Sequence, residues 1–170
     1  MKVLISAASK HGSTAAIAAV IAGELGAAGI GTDVIPPGKV VSVAGYDAVV
    51  IGSGVYVGKW LDSARGLIER EAAALAARPV WLFSSGPVGD PPLPAAEPDV
   101  VSMIEATGAR EHRVIPGKID RGQLSVGERA VTRMVRAAEG DFRPWPEIRS
   151  WAAEIARALD GEVSPAARTG

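Results

Sequence analysis

Ser6-Ala7-Ala8-Ser9-Lys10-His11-Gly12-Ser13-Thr14 is the stretch whose reading decides the fold. Before it, Lys2 to Ser6 is a short apolar run of β character. After it, Ser13 to Ala28 is alanine-rich and places Ile17, Val20, Ile21 and Leu25 at helical spacing. The order is therefore strand, short polar loop, helix. A helix start exposes unpaired N–H groups and carries partial positive charge, so it attracts anions. Hydroxyls on Ser9, Ser13 and Thr14 share six residues with Lys10, His11 and Gly12. An ordinary N-cap accounts for one hydroxyl. The density of donors and the turn-permitting Gly12 favour a phosphate cradle over a plain cap.

Competing phosphate chemistries do not match. There is no G-x-x-x-x-G-K-[ST] loop, and the first turn lacks G-x-G-x-x-G. Ser6 and Ser53 stand near the places where a response regulator needs acids. The chain has no cysteine, which excludes disulfides, thiolate metal sites and cysteine nucleophiles together.

Working outward, strands and helices alternate. Thr32 to Ile35, Asp47 to Ser53, Pro79 to Ser84 and His112 to Ile115 read as further strands. Trp60 to Ala77, Asp99 to Thr107, Val126 to Ala138 and Pro146 to Leu159 read as helices. Gly86 to Pro98 is a proline-rich loop. This predicts an α/β fold, a five-stranded parallel sheet in order 2-1-3-4-5 between two helical layers. Residues 1–160 form one domain and 161–170 a flexible polar tail. Ligands of such sheets bind beyond the carboxyl ends of the strands, where strand order reverses. The loops after strands one, three and four are the places to search.

The second of these loops is Gly52-Ser53-Gly54-Val55-Tyr56-Val57-Gly58-Lys59-Trp60, and the third is Ser84-Ser85-Gly86-Pro87-Val88-Gly89. Glycine admits close backbone approach, and Tyr56 offers a flat face either for stacking or for the rim of a site. Trp60 reads as a helix-start residue packed into the core.

In the first loop, Ala8 to Thr14 resembles the FMN phosphate loop of flavodoxin-domain proteins. The second loop is similar to a G-S-x-x-Y-x-G-x-W stretch of that family, and the third to its S-S-G-P-x-G loop. The likeness is nearest to the branch that includes the menaquinone-dependent protoporphyrinogen dehydrogenase. Gly117-Lys118-Ile119-Asp120 resembles a G-G-K-[LI]-D stretch, with Pro116 for one glycine. Gly140 to Trp145 resembles G-D-[FY]-R-D-W, with Pro144 for an aspartate. Asp141 reads as a cap or salt-bridge partner.

The resemblance implies a flavodoxin-like three-layer sandwich with FMN as cofactor. It places the phosphate on Ser9, Lys10, His11, Gly12, Ser13 and Thr14. It places the flavin ring between Ser53, Gly54, Val55, Tyr56, Val57 and Gly58 on one side and Ser84, Ser85, Gly86, Pro87, Val88 and Gly89 on the other. No catalytic side chain and no metal ligand is assigned, since a flavin exchanges electrons without either. The expected function is an FMN-dependent oxidoreductase acting on a small quinone- or porphyrinogen-like donor or acceptor, with a redox protein as a further partner. An electron carrier and a flavin-free phosphoryl-ligand-binding module are the alternatives. Formal net charge is -1, which gives no nucleic-acid footprint and weak steering toward a charged partner. No apolar run is long enough for a transmembrane segment, and a cytoplasmic location is expected.

Overall fold

In the computed structural model, which describes residues 1–56, 58–86, 100–119 and 140–163, the apolar run at the start of the chain is the central strand β1, Lys2–Ala8. Helix α1, Ser13–Ala27, follows it. Next come β2, Gly31–Val34, a 3-10 turn at Pro37–Lys39, and β3, Ala48–Tyr56. A short strand β4, Lys59–Trp60, folds back on β3 before α2, Asp62–Ala76. The remainder is β5, Val80–Ser85; α3, Val101–Thr107; β6, Glu111–Ile115; the small strands β7, Lys118–Ile119, and β8, Gly140–Asp141; and α4, Trp145–Val163.

The main sheet has the order β2-β1-β3-β5-β6, every pair parallel. With β4 set aside as an antiparallel flap on β3, this is the predicted order 2-1-3-4-5. The strand period of two explains the layers. Val3 and Ile5, Ala48 and Val50, and Trp81 and Phe83 face α1 and α4. Leu4, Val49 and Ile51, and Val80 and Leu82 face α2 and α3. A sheet buried on both faces needs continuous apolar strands, and β1, β3 and β5 supply them. In α4, Ile148, Trp151, Ala152, Ile155, Ala156 and Leu159 form the buried stripe at helical spacing.

Three expectations are corrected. Strands β1, β3 and β5 continue to Ala8, Tyr56 and Ser85, past the predicted ends at Ser6, Ser53 and Ser84, so Ala7, Ala8, Gly54 to Tyr56 and Ser85 belong to strand ends rather than loops. The cause is continued pairing: Ala8 with Ser53, Ser53 with Ser84, and Gly54 with Ser85. Trp60 does not start a helix; it sits in β4 opposite Val55, although it is buried as expected. Helix α4 runs to Val163, beyond the predicted end at Leu159. The predicted helix from Val126 to Ala138 lies outside the described residues. Among the described residues no helix is long and apolar enough to cross a membrane.

The β2–β3 connection is strapped to α2. Arg70 donates to the carbonyls of Pro37 at 2.9 Å and Val40 at 2.8 Å. Arg78 donates to the carbonyls of Val43 and Tyr46, and Glu71 accepts from the Val43 N–H at 3.0 Å. At the sheet edge, Asp33 pairs with Lys2 Nζ at 2.7 Å and accepts from the Tyr46 hydroxyl at 2.8 Å. The hydrogen bond from Lys2 holds the Asp33 carboxyl below the ordinary carboxylate range, and the Tyr46 bond adds to it. A depressed carboxyl pKa contributes stability above its unfolded value and loses it as pH falls through the folded one. Asp33→Asn is therefore expected to make denaturant midpoints fall less steeply on acidification. Acid limbs that superimpose for the two proteins would refute this coupling.

Candidate functional site

The register of the sheet brings three chain segments to one level at the carboxyl ends of the strands. Ala8 lies beside Ser53, and Gly54 beside Ser85. Strand order reverses between β1 and β3, so the segment after Ala8 and the end of β3 flank the crevice where ligands of such sheets sit.

In the first segment, Gly12 takes φ 81 and ψ -12 and caps α1 with no side-chain hydrogen bond to the helix. This left-handed conformation is strained for other residues and free for glycine. Ser9 Oγ is buried and has no hydrogen-bond partner among the described residues. An orphaned buried hydroxyl costs free energy, which a ligand oxygen at the same place would recover. Ser13 Oγ accepts from the backbone N–H of Lys118 at 3.1 Å, and its own hydrogen remains available to an acceptor. Thr14 is buried in the first turn, and its Oγ1 would lie 3.4 Å from a Cβ placed on Gly54. Gly54 thus lets β3 approach the loop closely.

Lys10 and His11 both lean on the second segment. Lys10 Nζ stands 5.3 Å from the Tyr56 ring centroid, and the His11 ring meets Tyr56 edge-on at 6.4 Å. Val55 and Tyr56 are half-buried, and Gly58 turns the chain from β3 into β4.

Two predicted side chains are committed elsewhere. Ser53 Oγ accepts from the Leu61 N–H at 2.9 Å and donates to the Gly54 carbonyl at 2.9 Å. Ser84 Oγ accepts from Trp60 Nε1 at 2.7 Å and shares a 2.8 Å hydrogen bond with His112 Nε2. Both hydroxyls are fully buried, so only their backbone atoms remain to serve a ligand. The Trp60–Ser84–His112 chain ties the β4 flap to β5 and β6. Ser85 is buried, and Gly86 bonds through its N–H to the Ile115 carbonyl at 3.1 Å. Val57, Pro87, Val88 and Gly89 lie outside the described residues.

The structure adds a partner the local motifs do not show. The β7–β8 pair and the segment after it dock on the first loop. Arg143 lies over the Trp145 ring at 4.4 Å, and its Nη1 donates to the Ser13 carbonyl at 3.4 Å. Asp141 braces one edge of that guanidinium, accepting from Nε at 2.7 Å and from Nη2 at 2.5 Å. These bonds hold the Asp141 carboxyl below its ordinary range. The salt-bridge reading of Asp141 is the one seen.

A parallel sheet between two helical layers, with an anion-ready first loop and two backbone-lined segments at its switch point, defines an FMN-binding α/β protein of the flavodoxin kind. The family model for the flavodoxin domain matches residues 4–143, and the chain belongs to that family. No curated protein matches it. The fold is similar to a flavodoxin from the domain Archaea, with 16% identity, TM-score 0.64, and coverage of 94% of this chain and 99% of that one. It is similar to oxidised flavodoxin 1 from Bacillus cereus, with 15% identity, TM-score 0.59, and coverage of 92% and 98%. It is also similar to rubredoxin oxygen:oxidoreductase from Desulfovibrio gigas, with 16% identity and TM-score 0.66, where 96% of this chain matches 37% of that one.

As a flavodoxin-domain protein the chain takes FMN as its cofactor. The residues present fit the phosphate end of that group, because Ser9 Oγ, the Ser13 hydroxyl hydrogen and the α1 N–H groups are donors in search of an acceptor.

Proposed function

We propose that this protein is an FMN-dependent oxidoreductase that exchanges electrons with a small organic substrate of quinone or porphyrinogen type. The observation that carries the flavin site is the convergence of unfilled donors at one end of the sheet, headed by the buried Ser9 hydroxyl. In this reading the backbone of residues 9–14, with the hydroxyls of Ser9, Ser13 and Thr14, holds the phosphate. Gly54, Val55, Tyr56 and Gly58 on one side and Ser85 and Gly86 on the other border the ring. The flavin supplies the redox chemistry; the chain binds it, orients it and sets its surroundings.

Charge favours an enzyme over a carrier that finds its partner by steering. Net charge is only -1. A small planar substrate needs access to the ring and no long-range field. The carrier reading has its own support, because the chain spans nearly the whole of single-domain flavodoxins. No segment is needed in the membrane, and a cytoplasmic site of action fits the proposal.

The visible spectrum of the purified protein, with and without added FMN, tests the flavin. Assays with quinone, porphyrinogen and nicotinamide substrates then separate enzyme from carrier. Turnover of a small substrate supports the enzyme; reduction and reoxidation only through a redox protein would overturn it.

A sharper check uses Ser9→Ala. Deleting an unpaired buried hydroxyl removes a desolvation cost, so the apoprotein should be unchanged or more stable by ~1 kcal/mol. FMN affinity should fall by about tenfold through the lost phosphate bond. Denaturation of the apoprotein and fluorescence titration with FMN give the two signs. A variant that binds FMN as tightly as the wild type removes Ser9 from the site.

A further inference from the structure

Lys118 N–H reaches Ser13 Oγ, and Arg143 reaches the Ser13 carbonyl, across 105 and 130 residues of sequence respectively. Two atoms of one residue at the first turn of α1 are thus held by a distant part of the chain. The Arg143 side chain is only 10% exposed. Its position is over-determined: Asp141 grips two of its nitrogens, Trp145 lies beneath it, and the Arg143 N–H also bonds to Asp141 Oδ1 at 3.2 Å. Phe142 N–H bonds to the Gly117 carbonyl at 3.1 Å, which joins this brace to the Lys118 strand.

We infer that Asp141 and Arg143 form a positioning clamp that holds the first turn of α1 in the conformation that receives the FMN phosphate. The inference rests on the FMN reading of the loop and extends it to residues outside that loop. Lys118 fixes Ser13 Oγ as an acceptor, so the hydroxyl hydrogen points away from that N–H. Arg143 fixes the carbonyl of the same residue. Neither group has to touch the ligand for this to matter, because pre-ordering a loop removes part of the entropic cost of binding. The carboxylate is the telling part. A cation serving the phosphate by charge alone would be weakened by a carboxylate at 2.5 Å, whereas a positioned guanidinium is improved by one.

The test compares FMN with riboflavin, which lacks the phosphate, in fluorescence titrations of wild type, Arg143→Ala, Arg143→Lys and Asp141→Asn. Arg143→Ala is expected to raise the FMN dissociation constant about tenfold and to leave that of riboflavin nearly unchanged. Arg143→Lys should recover part of the loss, since an ammonium lacks the planar fork. Asp141→Asn should also weaken FMN, by about threefold, although it removes a negative charge near the phosphate. Tighter FMN binding by Asp141→Asn would overturn the clamp in favour of bulk charge. Parallel losses for FMN and riboflavin would overturn it in favour of general structural damage, and thermal unfolding of each variant reports that damage directly. Unchanged affinities overturn it as well. A wild type that binds neither flavin would instead overturn the cofactor reading, and the clamp with it.

Discussion

Gly52→Ala is expected to destabilise the protein by ~3 kcal/mol, at the upper end of what overpacking costs. A Cβ on Gly52 would fall 2.1 Å from Cζ of Phe83 and 2.2 Å from its Cε1. Phe83 is directly beside Gly52 in the β3–β5 register and is fully buried. The ring lies across the glycine and meets Trp151 edge-on at 6.1 Å. It has no room to step aside, because Trp151 is also fully buried. Urea denaturation checks the magnitude. The cause is checked by Phe83→Leu, which alone removes good packing but in the Gly52→Ala background removes the clash. The double variant should be more stable than the sum of the singles implies, by at least ~1 kcal/mol. Strict additivity would mean that the steric account is wrong.

Trp151→Ala is expected to cost ~4 kcal/mol. Trp151 is the largest fully buried side chain and stands where α4 meets the sheet. Its Nε1 donates to Glu111 Oε2 at 2.8 Å, and Arg113 lies over its ring at 5.2 Å while bonding to Glu111 Oε1 at 2.7 Å. Truncation therefore opens a cavity and strips one partner from a charged group. Trp151→Phe separates the two effects: it keeps most of the apolar contact, loses the indole N–H, and should cost about half as much. Equal losses for both variants would assign the whole effect to the hydrogen bond. The Arg113–Glu111 pair is part-exposed, so its own share should be small and fade with salt.

The layers and strand order were legible because β1, β3 and β5 each hold a run of consecutive apolar residues, Val3 to Ile5, Ala48 to Ile51 and Val80 to Phe83, separated by helical runs such as Ile17 to Leu25. The first loop was legible because its hydroxyls, Lys10 and Gly12 are local to one another. What sequence could not show is where a serine's oxygen points. Ser53 and Ser84 read like Ser9, yet strand pairing carries both into the sheet, where Leu61, Trp60 and His112 claim their hydroxyls. Trp60 reads as a helix start because an apolar residue just ahead of α2 fits that role; antiparallel pairing with Val55 overrides it. The contact of Arg143 with Ser13 had no signal at all in local patterning. The motif around Asp141 was visible, but its target is a matter of topology.

That topology fixes an order of events during synthesis. The residues proposed to hold the phosphate precede the rest of the sheet in the chain, yet Ser13 acquires its two outside partners only when residues 118 and 143 have emerged. A nascent chain can pair β1 with β2 and then β3 as each appears, since those neighbours arrive in turn. The closing of the first loop must wait for contacts of the longest range, which form slowest. A growing polypeptide would therefore present a nearly complete sheet well before it has a finished place for its cofactor.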